Sequence, residues 1–99
     1  MLTQEVVIHQ LRQQLKRLKQ QYPIEQIGVF GSYSRNEQTE ESDIDIVYKT
    51  LPDTSFSLQN YFDLIADLQS ITHTKIDLVN IKYINPIVWE EAKKSVIYV

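Results

Sequence analysis

Residues 30–46 read Phe-Gly-Ser-Tyr-Ser-Arg-Asn-Glu-Gln-Thr-Glu-Glu-Ser-Asp-Ile-Asp-Ile, which places a Gly-Ser turn ten residues ahead of an Asp-x-Asp pair. On a strand, alternate side chains share a face, so Asp43 and Asp45 would point one way and Ile44 and Ile46 the other. Two neighbouring carboxylates repel each other unless a cation lies between them. Mg²⁺ meets this need, because it typically takes one or two carboxylates and completes its shell with water and phosphate oxygens.

The Gly-Ser turn predicts the phosphate half of the same site. Gly31 lets the backbone come close to a ligand, and Ser32 begins what reads as a short helix through about Asn36. The free N–H groups at the start of a helix bind anions. We therefore expect Gly31 and Ser32 to hold a phosphate chain.

Helix and strand patterns alternate along the rest of the chain, which predicts an α/β fold. The predicted elements are a helix over about Gln4 to Gln20, a strand from Ile24 to Phe30, the short helical segment after Gly31, a strand from Ile44 to Lys49, a helix over about Leu58 to Ser70, a strand from Lys75 to Val79 and a helix from Pro86 to about Ser95. The final segment, residues 96–99, either adds an edge strand or packs under the first helix.

Apolar residues recur at helical spacing in both long helices. In the first helix these are Val7, Leu11, Leu15, Leu18 and Tyr22, and in the second long helix they are Leu58, Tyr61, Phe62, Ile65 and Leu68. The last helix has the clearest start, because Asn85 is a good N-cap and Pro86 fits the first helical position. Ile84 and Trp89 are spaced for a hydrophobic staple, so Trp89 is interpreted as a packing residue.

A third carboxylate, Asp77, lies in the middle of the strand Lys75 to Val79. Short helical crossovers favour parallel neighbouring strands, so this strand is expected beside the one that carries Asp45. Asp77 then joins Asp43 and Asp45 on the open face of the sheet. Three carboxylates from two strands can bind two divalent ions about 3.5 to 4 Å apart, which steady the attacking and leaving oxygens of an in-line phosphoryl displacement.

Length and composition restrict the class of protein. The chain has 99 residues, no cysteine and a net charge of −3, so a disulfide framework and a thiolate zinc site are excluded. Its basic residues are dispersed, which argues against direct nucleic-acid binding. No apolar run approaches the roughly 20 residues of a membrane span, and the N-terminus does not resemble a signal peptide. We therefore expect a cytoplasmic protein.

Several other residues have a structural and a functional interpretation. Arg35 can contact a triphosphate or pair with a nearby glutamate, and Glu37 is one of five carboxylates in the acidic segment 37–45. Tyr33 is expected to pack rather than to stack on a base. His9 and His73 have no second His or Cys at a metal-ligand spacing, so both are interpreted as surface residues. The first helix also carries Lys16, Arg17 and Lys19 near its end, which are expected to form a solvated face that suits the helix dipole.

With Gly31, Ser32, Asp43, Asp45 and Asp77 in this order, the chain resembles the nucleotidyltransferase superfamily of polymerase β-like enzymes. More narrowly, it resembles the minimal nucleotidyltransferase (MNT) antitoxins of HEPN/MNT toxin–antitoxin modules. The resemblance covers nearly the whole chain, including the closing Asn-Pro helix. It implies a single minimal nucleotidyltransferase domain over residues 1–99, with a small mixed sheet and helices packed on one face.

The resemblance also implies an activity. It implies two Mg²⁺ ions, ATP as donor, and transfer of AMP with release of pyrophosphate to a tyrosine hydroxyl of a HEPN toxin in a heteromeric complex. Gly31 and Ser32 would hold the β- and γ-phosphates, with Arg35 as a further candidate ligand. Asp43 and Asp45 would bridge the metals, and Asp77 would complete the metal next to the acceptor hydroxyl.

Three functions of different class remain open on the sequence. The first is an ATP-dependent transferase that modifies a partner toxin, and the second is a transferase that acts on a small hydroxylated molecule. The third is a binding-only antitoxin that covers its partner. The complete set of motif residues argues against the third, and the lack of an evident acceptor-binding segment argues against the second.

Overall fold

The computed structural model describes residues 2–99. The elements in chain order are α1 (Gln4–Gln21), β1 (Ile24–Phe30), α2 (Gly31–Ser34), β2 (Ile44–Thr50), α3 (Leu58–Thr72), β3 (Ile76–Asn80), α4 (Pro86–Ala92) and β4 (Ile97–Tyr98). Every predicted element is therefore present. The prediction was wrong at two ends, since α2 is a single turn that stops at Ser34 rather than Asn36, and α4 stops at Ala92 rather than Ser95.

The four strands form one mixed sheet in the order β3-β2-β1-β4. β2 and β3 are parallel, because α3 carries the chain from the end of one to the start of the other. β1 pairs antiparallel with β2 on one side and with β4 on the other. Residues 97–98 thus extend the sheet at its edge, which was the first of the two predicted alternatives for the end of the chain.

Helix α1 covers one face of the sheet with the apolar stripe that its sequence predicts. Thr3 caps it by accepting a hydrogen bond from the Val6 N–H at 3.2 Å. Val7, Leu11 and Leu18 are fully buried, and Leu15 and Tyr22 are partly buried against the same core. The strands contribute these core side chains: Ile24, Ile27 and Val29 of β1, Ile44, Ile46 and Tyr48 of β2, and Ile76 and Leu78 of β3.

Helix α3 packs beside α1, but with a different stripe from the one predicted. Its start is fixed by a capping box in which Ser57 and Asn60 exchange hydrogen bonds at 3.1 and 3.0 Å. Leu64 and Leu68 are its fully buried apolar residues. Leu58 and Phe62 were expected in the core and are 70% and 57% exposed. The stripe is rotated because Leu64, which the prediction left out, lies at the centre of the contact.

An ion pair joins the two long helices. Arg17 of α1 donates to both carboxylate oxygens of Asp67 in α3, at 2.9 and 2.7 Å, and the Tyr22 hydroxyl donates to the same carboxylate at 3.0 Å. The Arg17 hydrogen bonds hold the pKa of Asp67 below its usual value. Burial, followed by the contact with Asp67, raises the pKa of Tyr22 to about 12. The prediction that Arg17 belongs to a purely solvated face is therefore wrong.

Helix α4 begins as predicted but buries little. The Asn85 side chain accepts hydrogen bonds from the N–H groups of Ile87 and Val88 at 2.8 and 3.3 Å. None of its residues is fully buried, and Ile87 is 83% exposed. Within residues 2–99, no helix is both long enough and apolar enough to cross a membrane.

Candidate active site

The carboxylates of the motif lie together on the face of the sheet opposite α1 and α3. Asp45 is the register partner of Asp77 across the parallel pair β2 and β3, and of Phe30 across the antiparallel pair β1 and β2. Paired residues on adjacent strands share a face. Phe30, Asp45 and Asp77 therefore form a row across three strands. The predicted neighbourhood of Asp45 and Asp77 is present.

Asp45 is at the centre of this negative charge. It is half-buried, and its pKa is raised to about 6, first by burial and then by the charge of Asp77 and the contact with it. Asp43, which directly precedes β2, raises the pKa of Asp45 further, whereas Arg35 lowers it. The charged form of Asp45 is thus disfavoured in the absence of a cation.

Gly31 and Asp45 lie so close that no larger residue fits at position 31. A Cβ atom on Gly31 would lie 2.9 Å from Cγ of Asp45 and would overlap its Oδ2 atom. The Gly31 φ angle is +70°, a backbone conformation that residues other than glycine rarely adopt. The backbone of the phosphate turn is therefore held directly against the carboxylate that is expected to bind the metal.

The one-turn helix α2 is held in place by residues outside the motif. The Ser34 hydroxyl donates to the Gly31 carbonyl at 2.8 Å, and the Gln4 amide donates to the carbonyls of Tyr33 and Ser34 at 3.0 and 2.8 Å. Tyr33 is buried, as expected for a packing residue. A single turn adds little macrodipole, so anion binding here would depend on the free N–H groups and the Ser32 hydroxyl. The sequence interpretation missed Gln4, because no local pattern links it to a turn about thirty residues away.

Two basic side chains border the carboxylates. Arg35 pairs with Glu37 at 3.2 Å and remains largely exposed, which is the structural alternative considered for it. The Lys75 ammonium lies 3.8 Å from Oδ2 of Asp43. Both are surface contacts and add little stability. Arg35 is thus free to exchange its partner for a bound anion.

The donor set fits a hard dication. Its oxygens come from Asp43, Asp45 and Asp77. The pKa of Asp45 is raised first by burial and then by like charges that a cation would neutralise. Among residues 2–99, no three His, Cys, Asp or Glu side chains are placed so that they could hold a metal ion by themselves, and this includes Asp43, Asp45 and Asp77. Mg²⁺ would therefore need water and substrate phosphate oxygens to complete its ligands at these carboxylates.

Residues 11–99 match the model of the nucleotidyltransferase domain family. This chain belongs to that family. The match covers the Gly-Ser turn, the Asp-x-Asp pair and the strand of Asp77.

Relatives of this nucleotidyltransferase carry a more specific name. A "Putative protein adenylyltransferase" of Methanocaldococcus jannaschii is 43% identical over 90 residues, which is 90% of each chain. Protein adenylyltransferase MntA of Thermococcus cleftensis is 32% identical over 101 residues, covering 100% of this chain and 98% of the relative. The predicted relationship to nucleotidyltransferases of the MNT type is confirmed.

Solved structures confirm the fold of the nucleotidyltransferase. A structure described as a "putative minimal nucleotidyltransferase" matches with a TM-score of 0.80 at 21% identity, over 97% of this chain and 95% of that one. A chain in the complex of a tri-AMPylated Shewanella oneidensis HEPN toxin with its MNT antitoxin matches with a TM-score of 0.66 at 20% identity, over 93% of this chain and 70% of that one. The mixed sheet with helices packed on one face is thus the minimal nucleotidyltransferase fold.

Proposed function

We propose that this nucleotidyltransferase transfers AMP from ATP to a tyrosine hydroxyl of a HEPN-type toxin and thereby acts as its antitoxin. The observation that carries the proposal is the row in which Asp45 and Asp77 lie side by side next to Gly31. The names of its relatives support adenylyl transfer to protein. The modified HEPN toxin in the Shewanella complex supports the class of acceptor.

Each motif residue has a role in this proposal. Gly31 and Ser32 bind the β- and γ-phosphates through backbone N–H groups and the Ser32 hydroxyl, and Arg35 turns from Glu37 to the triphosphate. Asp43 and Asp45 hold magnesium, and Asp77 faces the acceptor. When two Mg²⁺ ions are bound, they supply charge neutralisation of the phosphates and lower the pKa of a nearby hydroxyl.

The reaction is a displacement at the α-phosphorus of ATP. The acceptor oxygen forms a bond to the α-phosphorus, and the bond from that phosphorus to the oxygen that bridges to the β-phosphate breaks. Pyrophosphate leaves with the electron pair. Asp77 accepts the hydroxyl proton, a role for which its exposed position on the edge strand β3 gives access to an incoming acceptor.

A partner protein as acceptor agrees with the surface of the molecule. Large apolar side chains are exposed on α3 and around α4, with Leu58 70%, Tyr83 77% and Ile87 83% exposed. Apolar groups on the surface of a small domain often mark a protein interface. The same surface also favours the second candidate, a binding-only antitoxin, which would need the apolar contacts and none of the carboxylates.

The position of the transferred label tests the proposal. The protein is incubated with Mg²⁺, the product of the neighbouring gene, and ATP labelled at either the α- or the γ-phosphate. We expect label on the partner from the α-phosphate and none from the γ-phosphate, with a matching mass increase on a tyrosine. Transfer of the γ-label would indicate a kinase and overturn the proposal.

The Asp45→Ala variant separates catalysis from binding in the same assay. We expect it to bind the partner and transfer no label, because the variant keeps the exposed apolar side chains of α3 and α4. A wild-type protein that binds the partner and transfers nothing would support the binding-only antitoxin. Label on a small hydroxylated molecule instead of the partner would support the remaining alternative.

A further inference from the structure

The outer edge of β3 runs beside Asp77 and carries no further strand. β3 is the last strand on one side of the sheet, and within residues 2–99 no other strand pairs with its outer side. An edge of this kind presents main-chain N–H and C=O groups that can pair with another chain. A strand from another molecule can therefore add to the sheet next to the expected metal-binding carboxylates.

The hydrogen bonds at the two ends of β3 show which of its main-chain groups face outwards. The Ile44 N–H donates to the Lys75 carbonyl at 2.9 Å, and the Ile81 N–H donates to the Tyr48 carbonyl at 2.9 Å. Alternate residues of a strand direct these groups to the same neighbour, so the odd-numbered residues from 75 to 81 face β2. The groups that face away from β2 are then those of Ile76, Leu78 and Asn80.

Two contacts close the far part of this outer edge. The Tyr61 hydroxyl of α3 donates to the Leu78 carbonyl at 2.9 Å, and the Tyr83 N–H donates to the Asn80 carbonyl at 3.0 Å. Both acceptors belong to the outward-facing set, which agrees with the alternation. Among the described residues, the N–H and C=O of Ile76 and the N–H of Leu78 remain unpaired. These groups, on either side of Asp77, form the free edge of β3.

We propose that an extended segment of the acceptor protein adds to β3 at this free edge, with its tyrosine opposite Asp77. The inference rests on the proposed function and deepens it. Residues paired on adjacent strands share a face, so the tyrosine would continue the row of Phe30, Asp45 and Asp77. Its hydroxyl would then lie on the same face as the carboxylate that accepts the proton.

The hydrogen-bond pattern favours this register. The main-chain groups of Asp77 face β2, so the residue opposite Asp77 on an added strand takes a position without hydrogen bonds to it. In an antiparallel pair such positions bring the two Cα atoms to about 4.5 Å, closer than the hydrogen-bonded positions. The free groups of Ile76 and Leu78 pair with the residues on each side of the tyrosine. Main-chain pairing of this kind supplies affinity for an extended peptide.

Exposed apolar side chains of α3 lie beside the free edge. The ring of Tyr61, whose hydroxyl reaches the Leu78 carbonyl, has its centroid 5.7 Å from that of Phe62. Phe62 is exposed, and so is Leu58 one turn earlier. In an added strand, the residues on each side of the tyrosine point to the face of the sheet that α3 covers. We therefore expect these two residues of the acceptor to be apolar and to pack against Phe62.

Amide hydrogen exchange tests which main-chain groups pair. The protein is mixed with the product of the neighbouring gene in the presence of Mg²⁺ and a non-hydrolysable ATP analogue, and exchange is followed by NMR with and without the partner. We expect the amide protons of Ile76 and Leu78 to exchange at least about tenfold more slowly in the complex, because each becomes a hydrogen-bond donor.

The opposite edge of the sheet provides the control. In β4, the Val99 N–H donates to the Ile27 carbonyl at 3.0 Å, so by the same alternation the Tyr98 N–H faces away from β1. We expect the partner to change the exchange of the Tyr98 amide by less than about twofold. Equal slowing at Tyr98 and Leu78 would indicate a general rigidification of the sheet and overturn the inference.

A backbone ester at position 78 tests whether the pairing contributes to transfer. The hydroxy-acid counterpart of leucine keeps the Leu78 side chain and removes only the outward N–H, and the same change at Tyr98 is the matched control. We expect the ester at position 78 to raise the KM for the partner about fivefold or more, with the affinity for Mg²⁺ and the ATP analogue within about twofold of wild type. Phe62→Ser should raise this KM about threefold or more, and Val6→Ser, at an exposed position of α1, should leave it unchanged.

The inference is overturned if the ester at position 78 transfers label as wild type does at every partner concentration, or if the amides of Ile76 and Leu78 exchange at the same rate with the partner bound. In both cases label transfer by wild type would still support the proposed function. Slower exchange of these amides that depends only on the concentration of this chain would show pairing of two copies and would also overturn it. If wild type neither binds the partner nor transfers label, the proposed function fails and the inference with it.

Discussion

The backbone of Gly31 lies directly against the carboxylate of Asp45. A Cβ atom at position 31 would lie 2.9 Å from Cγ of Asp45, and the φ angle of Gly31 is +70°. The expected phosphate site and the expected metal site are therefore in contact. A change at either residue alters both sites together, because a metal that binds phosphate oxygens needs these two groups at a fixed distance.

Replacing Gly31 with alanine should remove nucleotide binding. The left-handed conformation costs an alanine roughly 1–2 kcal/mol, and the new methyl group displaces Asp45. Gly28→Ala is the matched control, since the atoms nearest to its Cβ would be side-chain atoms of Val96 and Tyr98, at the edge of the sheet. We expect both variants to lose stability in thermal melts, and only Gly31→Ala to lose affinity for Mg²⁺ with an ATP analogue. If both variants lose affinity for the ATP analogue equally, the loss comes from destabilisation of the fold and not from the contact between Gly31 and Asp45.

Replacing Asp77 with asparagine should stabilise the metal-free protein and slow transfer. The pKa of Asp45 is raised from 3.8 to about 6, so its contribution to stability is fully present below about pH 4 and is lost as the pH rises through about 6. Asp77→Asn removes one of the charges behind this loss. Above pH 6 we expect the free energy of unfolding of Asp77→Asn to exceed that of wild type by on the order of 1 kcal/mol, after allowing for solvent screening. Between pH 4 and 6 the stability of the variant should change less with pH than that of wild type. Transfer should fall about a hundredfold or more.

Unfolding by urea at about pH 4.5 and 7.5, without metal, measures this difference. Asp53→Asn serves as the control, because it removes one negative charge at a turn whose positive φ angle of 60° suits asparagine. If Asp77→Asn is clearly less stable than wild type without metal, Asp77 is a structural residue. The site of three carboxylates would then have to be abandoned.

The local patterns predicted the elements and the pairing of Asp45 with Asp77, because alternation on a strand and a short crossover fix both. They did not predict which face of α3 is buried. Leu58 and Phe62 fit the helical period as well as Leu64 does, and only the contact with α1 decides between them. Gln4 was missed for the same reason, since its hydrogen bonds to Tyr33 and Ser34 join residues distant in the sequence.

Replacing Asp67 with asparagine should weaken the contact between α1 and α3. The pKa of Asp67 is lowered, chiefly by its hydrogen bonds with Arg17, so its contribution is present above its usual pKa and is lost as the pH falls through the lower folded value. We expect a loss of about 1 kcal/mol at neutral pH, because Arg17 is partly solvated. The loss should shrink as the pH falls below the usual pKa of an aspartate.

The control for Asp67 is Asp63→Asn, one turn earlier on α3, where the carboxylate accepts a hydrogen bond from Gln59 at 2.7 Å. That side chain is exposed, so the change should leave stability near that of wild type at both pH values. The two variants are compared by thermal melts at neutral and acid pH. Equal behaviour of the two would mean that the ion pair with Arg17 contributes nothing measurable.

Metal binding should depend strongly on nucleotide. Among residues 2–99, no three His, Cys, Asp or Glu side chains could hold a metal ion by themselves, so Mg²⁺ or Mn²⁺ alone should bind weakly at Asp43, Asp45 and Asp77. A triphosphate held by Gly31 and Ser32 supplies further oxygens and should raise the affinity at least about tenfold. Calorimetry with Mn²⁺, with and without a non-hydrolysable ATP analogue, measures the difference. Ligands that bind the native state raise its stability in proportion to their affinity. The metal and the analogue together should therefore raise the melting temperature by more than the sum of their separate effects. Equal metal affinity in both states would mean that the carboxylates and the phosphate turn do not form one site.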